Sequence, residues 1–176
     1  MAKLRKFCAY RRLERPFTRK SKYRKKNFVR VTPNSKVVRF EMGNLTKKFD
    51  VNLDLVSKTD MQIRHNAIES ARQTSNRVLE KNLGKTGYKF KINIFPHHVL
   101  RENPLAAGAG ADRMSTGMKM SFGKSIGTAA RVKKDQKVIT IGIDKANINV
   151  AKTALRRAYC KLPGKYSINI QETSLS

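Results

Sequence analysis

Thirteen of the first thirty residues are lysine or arginine, and Glu14 is the single acid among them. A run of like charge repels itself and cannot bury itself in a core, so it restricts its chain more than any other feature does. The imbalance continues throughout: 39 Lys and Arg stand against 12 Asp and Glu, a formal charge of +27 on 176 residues. A chain of this length favours one compact domain, and at that charge the domain requires a polyanion to neutralise it. Nucleic acid is the first candidate. An anionic membrane surface is the second, but no strongly amphipathic basic helix is legible.

The N-terminal run is interleaved with Tyr10, Phe17, Tyr23 and Phe28. Rings in such a run stack on unpaired bases or brace the arm, while cations meet phosphates. The candidate RNA-binding residues here are Arg5, Lys6, Arg11, Arg12, Arg15, Arg19, Lys20, Lys22, Tyr23, Arg24, Lys25 and Lys26. On this reading residues 1–30 form a basic arm that orders only on nucleic acid; a solvated tail is the plainer alternative. Arg15-Pro16 and the aromatics argue against a cleavable leader, and no apolar segment follows to make a secretory signal. No run approaches the roughly 18 apolar residues of a membrane span. Cys8 and Cys160 have no Cys or His at ligand spacing, so neither zinc nor a disulfide framework is expected, and a reducing cytosol fits.

From Val37 the pattern becomes globular, and residues 31–176 read as one α+β domain. Strands are expected at Val37–Glu41, at Val51–Val56 (half-buried, with Asn52 and Asp54 outward), at Tyr88–Phe95, at Thr128–Val132, at Lys137–Ile143 with a possible bulge at Gly142, and at Tyr166–Ile170. One helix is expected from Thr59, with Gln62 completing a capping box, to Leu83 before a Gly84 stop; its core stripe is Ile68, Ala71, Val78 and Leu79. A second runs from Asn147 to about Lys161 and buries Val150, Ala154, Leu155 and Ala158. Strand–helix–strand occurs twice, so two helices cover a largely antiparallel or mixed sheet.

The segment "AGAGADRMSTGMKMSFGKSIGTAARV" (residues 107–132) carries two fragments of nucleotide-binding motifs. A phosphate loop needs glycine five positions before Gly123-Lys124-Ser125, and Met118 stands there; the segment after Ser125 also looks extended, not helical. The dinucleotide fingerprint begins at Gly108-Ala109-Gly110 but places Arg113 where its last glycine must allow close packing. Both are rejected, and no cofactor is expected. Adjacent His97 and His98 point to opposite faces of an extended chain, so they cannot easily share a metal, and a structural or phosphate-contacting role is expected instead. Asp112 reads as a turn or cap residue, and Met114, Met118 and Met120 as apolar filling. The six small residues Ala106–Ala111 can thread a narrow space, flanked by the phosphate-binding charge of Arg113, Lys119, Lys124 and Arg131. Glycines 117, 123 and 127 let peptide N–H groups meet phosphates directly.

"HHVLREN" (97–103), "GAGADRMSTGM" (108–118) and "FGKSIGTAARV" (122–132) resemble the archaeal and eukaryotic form of universal large-subunit ribosomal protein sixteen, the ten-e family. "RPFTRKSKYRKKNF", "FEMGN" and "ALRRAYCKLPGKY" extend the resemblance over nearly the whole chain, with Ser125 where the family often has proline. The resemblance implies a hammerhead-type two-helix α+β sandwich and a non-enzymatic constituent of the cytoplasmic large ribosomal subunit. It implies large-subunit ribosomal RNA as partner, with His97, His98, Arg101, Lys119, Lys124 and Arg131 joining the arm as contacts. It further implies an internal loop, about 103–115, that serves tRNA in the aminoacyl and peptidyl sites through Asn103, Gly108, Gly110, Asp112 and Arg113. Neighbouring ribosomal proteins and the 5S RNA region are possible partners; a membrane, a small-molecule substrate and self-association are not expected. A free-standing RNA or DNA chaperone is the alternative that the charge alone would equally permit.

Overall fold

A computed structural model of the chain describes residues 5–13, 29, 32–102 and 123–172. Its strands are β1 (Glu41–Gly43), β2 (Val51–Ser57), β3 (Met61–Arg64), β4 (Lys89–Ile92), β5 (His98–Glu102), β6 (Lys124–Val132), β7 (Lys137–Ile143) and β8 (Tyr166–Glu172). The helices are α1 (His65–Leu83) and α2 (Ile148–Tyr159). Every strand pairs antiparallel with its neighbours, in a five-stranded sheet of order β1-β4-β7-β2-β8 and a separate three-stranded sheet of order β3-β6-β5. The fold is therefore the expected α+β arrangement of two helices and antiparallel strands, divided between two sheets.

The large sheet follows from alternation. Val51, Leu53 and Leu55 of β2 lie opposite Ile143, Ile141 and Ile139 of β7, and Phe90 and Ile92 of β4 face Ile141 and Ile139 from the other side. All are buried in one core with Ile68, Ala71 and Leu79 of α1 and Ala151, Ala154, Leu155 and Ala158 of α2. The α2 stripe thus centres on Ala151, and Val150 packs only at its margin. Gly84 adopts φ +69° and closes α1, its N–H donating to the Glu80 carbonyl at 3.1 Å.

Four expectations are corrected. The segment 59–64 does not open the helix. Met61–Arg64 instead forms β3 against β6, which sends Met61 and Ile63 into the core and leaves Gln62 on the other face. The residues that resembled a capping box build a turn: the Ser57 hydroxyl donates to the Thr59 carbonyl, and Asp60 accepts the Lys134 N–H at 2.6 Å. The β2–β7 irregularity lies between Leu55 and Val56, whereas Gly142 pairs in register with Asn52 and Lys89. Strand β1 begins at Glu41, not Val37, although the Phe40 carbonyl already accepts the Ile92 N–H. Asp54 is buried, not outward-facing in solvent. Thr140 donates to it at 2.6 Å and the Lys137 ammonium sits 2.5 Å away, so the charge is paired where it is desolvated.

The small sheet positions the candidate site. Its inner face gives Met61, Ile63, Ala130 and Val132 to the main core. Its outer face carries Gln62 and Arg64 of β3, Ala129 and Arg131 of β6, and His98 and Leu100 of β5, which register places side by side. No helix among the described residues is long and apolar enough to cross a membrane.

Candidate nucleic-acid interface

The outer face of the small sheet is covered by the root of the N-terminal arm. Tyr10 is buried against Leu100 and Ala129, with Ile126 at the edge of the contact. Its hydroxyl donates to the Glu102 carboxylate at 2.7 Å, and the Arg5 guanidinium meets the other Glu102 oxygen at 3.0 Å. Burial, the loss of solvent around the phenol, pushes the Tyr10 hydroxyl up to about 12, so it remains the donor of this bond at any physiological pH. The Arg64 guanidinium lies 5.9 Å from the Tyr10 ring centre and donates to the Arg5 carbonyl at 3.0 Å.

Gln62 clamps the chain that follows. Its side-chain amide donates to the carbonyls of Tyr10 (3.1 Å) and Arg12 (2.7 Å), and its backbone N–H donates to the Arg11 carbonyl (3.0 Å). With both amide hydrogens committed, the Gln62 carbonyl oxygen is left to accept, and it bonds His98 Nδ1. That arrangement requires a proton on His98 Nδ1. Burial drives its pKa down to about 4, and the nearby charges of Arg131 and Arg101 push the same way.

Arg5 meets Glu102, and Arg64 reaches the Arg5 carbonyl from β3; Arg11 and Arg12 follow Tyr10 along β3, where Gln62 pairs on its other side with Arg131 of β6. Arg11, Arg12 and Arg131 are exposed, and Lys124 stands opposite Glu102 at the end of β6. Such a face has little use for a small neutral substrate; it suits repeated phosphates. Within residues 5–13 Tyr10 alone is buried, and it seats the root of the arm on the sheet without nucleic acid, against the expectation that the whole arm orders only on nucleic acid. Tyr10 braces the arm, the second of the two roles open to its aromatics.

The Gly-Lys-Ser turn is settled by its backbone. Gly123 has φ +102°, and Lys124 and Ser125 open a strand, whereas a phosphate loop would open a helix there. Gly127 lies within the ladder opposite Leu100, beside an irregularity at Leu100/Arg101, so it belongs to the sheet and not to a phosphate-cradling turn. His97 and His98 do diverge: His98 joins the clamp, while exposed His97 rests on the Phe95 ring, 4.5 Å between centres. Lys6 is exposed. Among the described residues no group of three or more His, Cys, Asp or Glu converges to hold a metal. Arg15, Arg19, Lys20, Lys22, Tyr23, Arg24, Lys25, Lys26, Asn103, Gly108, Gly110, Asp112, Arg113 and Lys119 lie outside the described residues.

The sequence alone does not single out Gln62, Arg64 and Glu102 for this face. Most of their partners here are backbone carbonyls or residues more than fifty positions away, for which a single sequence carries no signal.

Residues 18–169 match the family model described as ribosomal protein L16p/L10e. The chain is similar to large ribosomal subunit protein uL16 of Methanococcus maripaludis, 51% identical over 160 residues that span 91% of this chain and 90% of the relative. It is 49% identical over 167 residues to the protein of the same name from Methanococcus aeolicus, covering 95% and 94% of the two chains. The corresponding Archaeoglobus fulgidus protein is 44% identical over 163 residues, 93% and 90% of the chains.

Proposed function

The chain belongs to the ribosomal protein L16p/L10e family, and on that premise we propose that it is a structural, non-catalytic constituent of the large ribosomal subunit that holds ribosomal RNA on the outer face of its small sheet. The observation that carries this reading is the docked arm root. The Gln62 clamp holds the backbone of Arg11 and Arg12 on β3, and Gln62 pairs on its other side with Arg131 of β6, so exposed guanidinium groups from two distant parts of the sequence are carried by one sheet. Cations held in place by packing lose less side-chain freedom on meeting phosphates than cations on a loose tail.

The remaining arm cations, Arg15 through Lys26, extend this surface along the RNA, and residues 1–30 act as the arm of a single domain spanning 31–176. The Glu102–Lys124 pair closes the base of the segment 103–123, whose small residues 106–111 suit passage through a narrow RNA space. In this reading that segment supports tRNA near the aminoacyl and peptidyl sites, and peptide-bond chemistry is left to RNA.

The test replaces Arg11, Arg12 and Arg131 together by Gln and measures affinity for large-subunit RNA across a salt series. Each lost phosphate contact lowers the slope of log K against log salt by roughly 0.7–0.9, so the triple variant should lose about two units or more. An unchanged slope would remove this face from the RNA interface. Sedimentation of cell extract should find the protein in stoichiometric amounts with large subunits; a soluble or chromatin-bound pool would point to a free-standing chaperone.

A further inference from the structure

At the β4–β5 connection lies a group of rings of which only Phe40 packs against the main core. Phe40 and Phe95 stack with centres 5.1 Å apart and planes inclined by 25°, and the His97 ring lies tilted by 46° to Phe95, 4.5 Å between centres. The arrangement is built in, because the His97 N–H donates to the Phe95 carbonyl at 2.9 Å. That i to i+2 bond makes a three-residue turn around Pro96 and brings the two flanking rings together. Pro96 is buried, whereas Phe95 is 49% exposed. Val38, two residues before Phe40, is 80% exposed.

A phenyl ring held half in water, on a protein of charge +27, gains little for the fold from its position. Its rigid, preset geometry suits a flat partner. Arg39, next to Phe40 in the chain, and His97 are exposed there on a chain of net charge +27, so the approach is cationic, and one residue further on His98 enters the outer face of the small sheet. Flat, apolar on its faces and attached to negative charge describes an unpaired nucleobase. An apolar protein surface would match the ring but would gain nothing from the surrounding cations.

We propose that Phe95, backed by Phe40 and flanked by His97, is a stacking platform for an unstacked base of the bound RNA, distinct from the phosphate contacts of the small-sheet face. This rests on the RNA-binding reading above and adds to it a contact of a different kind. Stacking on an aromatic ring tolerates any base, so the platform anchors the RNA without reading its sequence.

The experiment compares full-length wild type, Phe95→Ala, Phe95→Leu and Phe95→Tyr in binding to a large-subunit RNA transcript over a salt series, with thermal melts as a check on folding. Phe95→Ala and Phe95→Leu should each lose affinity by roughly five- to hundredfold, the range reported by removal of one stacked base. Both should keep the wild-type salt slope, since no phosphate contact is lost. Phe95→Tyr should restore wild-type affinity, because the stacking face survives. Wild-type affinity in the Ala and Leu variants would overturn the platform while leaving the salt-dependent RNA reading intact; a wild type that fails to bind the transcript would overturn that reading itself. Retained affinity in Phe95→Leu alone would mark the site as an ordinary apolar contact and reject stacking. Unchanged RNA affinity in all variants, with loss of a neighbouring protein from reconstituted subunits on Phe95→Ala, would assign the rings to a protein partner instead.

Discussion

Replacing Gln62 by Met isolates the clamp that gives the arm root its place. Met matches glutamine in length and lack of branching, so the buried site keeps its packing, but it can neither donate to the Tyr10 and Arg12 carbonyls nor accept from His98. A neutral intramolecular hydrogen bond contributes about 1 kcal/mol net, so losing the two bonds to the arm costs ~2 kcal/mol of local stability. The Tyr10–Glu102 and Arg5–Glu102 contacts remain, so the root should open more often without the domain unfolding. The backbone N–H at position 62, bonded to the Arg11 carbonyl, reports that opening directly. Residue-resolved hydrogen exchange should show it exchanging about thirtyfold faster in the variant, since ~1.4 kcal/mol is a factor of ten. Amides of β7 should keep their protection. An unchanged rate at position 62 would mean that the side-chain amide does not hold the root. Equal acceleration in β7 would mean that the root and the domain open as one unit.

Three further outcomes follow from the same geometry. His98 and His65 are both held below the usual imidazole range, by burial first and then by neighbouring cations: Arg131 and Arg101 for His98, Lys36 and Arg64 for His65. The unfolded chain therefore takes up more protons than the native one, so stability should fall as pH drops from 6.5 towards 4. His98→Gln, which keeps an N–H donor for Gln62, should flatten that fall, and identical pH profiles in thermal melts would contradict the assignment. Gly43→Ala should destabilise by about 2–4 kcal/mol in denaturant titrations: φ is +84°, and an added Cβ would lie 2.1 Å from the Tyr88 carbonyl oxygen. A change below ~0.5 kcal/mol would show that β1 can move away freely. Deleting Leu105–Ala111 should leave subunit assembly nearly intact while slowing translation by reconstituted subunits, and unchanged translation would detach that segment from tRNA placement.

The elements that the sequence makes legible are those whose side chains repeat what the environment does. In β4, Phe90 and Ile92 alternate with Lys89 and Lys91, and in β7 the run Val138–Ile143 is buried nearly throughout; β7 lies where periodicity puts it, and β4 keeps only the middle of the expected Tyr88–Phe95. Strand β3 fails that logic because it is four residues long and runs directly into α1 at His65, with Arg64 extended at the junction. Met, Gln, Ile and Arg are all compatible with a helix, and only pairing with β6, some seventy residues on, makes them a strand. Asp54 is similar. Alternation marks it as outward, but the outward face of a central strand is desolvated, and its partners Thr140 and Lys137 come from β7. Charge and the motif match point to nucleic acid, and among the cations they single out Arg11, Arg12 and Arg131 are exposed on or beside the small sheet. The clamp beneath them was invisible because Gln62 acts on backbone carbonyls, which every residue possesses.

The pairing of Glu102 with Lys124 makes the segment between them a measuring rod. Its two ends are pinned at one point of the fold, and twenty-one residues, 103–123, join them. At 3.3–3.6 Å per extended residue, ten residues each way reach at most ~35 Å from the sheet. Adding or removing two residues changes that limit by about 3.5 Å, close to the ~3.4 Å rise between successive nucleotides of a stacked strand. On the proposed RNA-binding role, each pair of residues added to or taken from the segment changes its limit of reach by about one base.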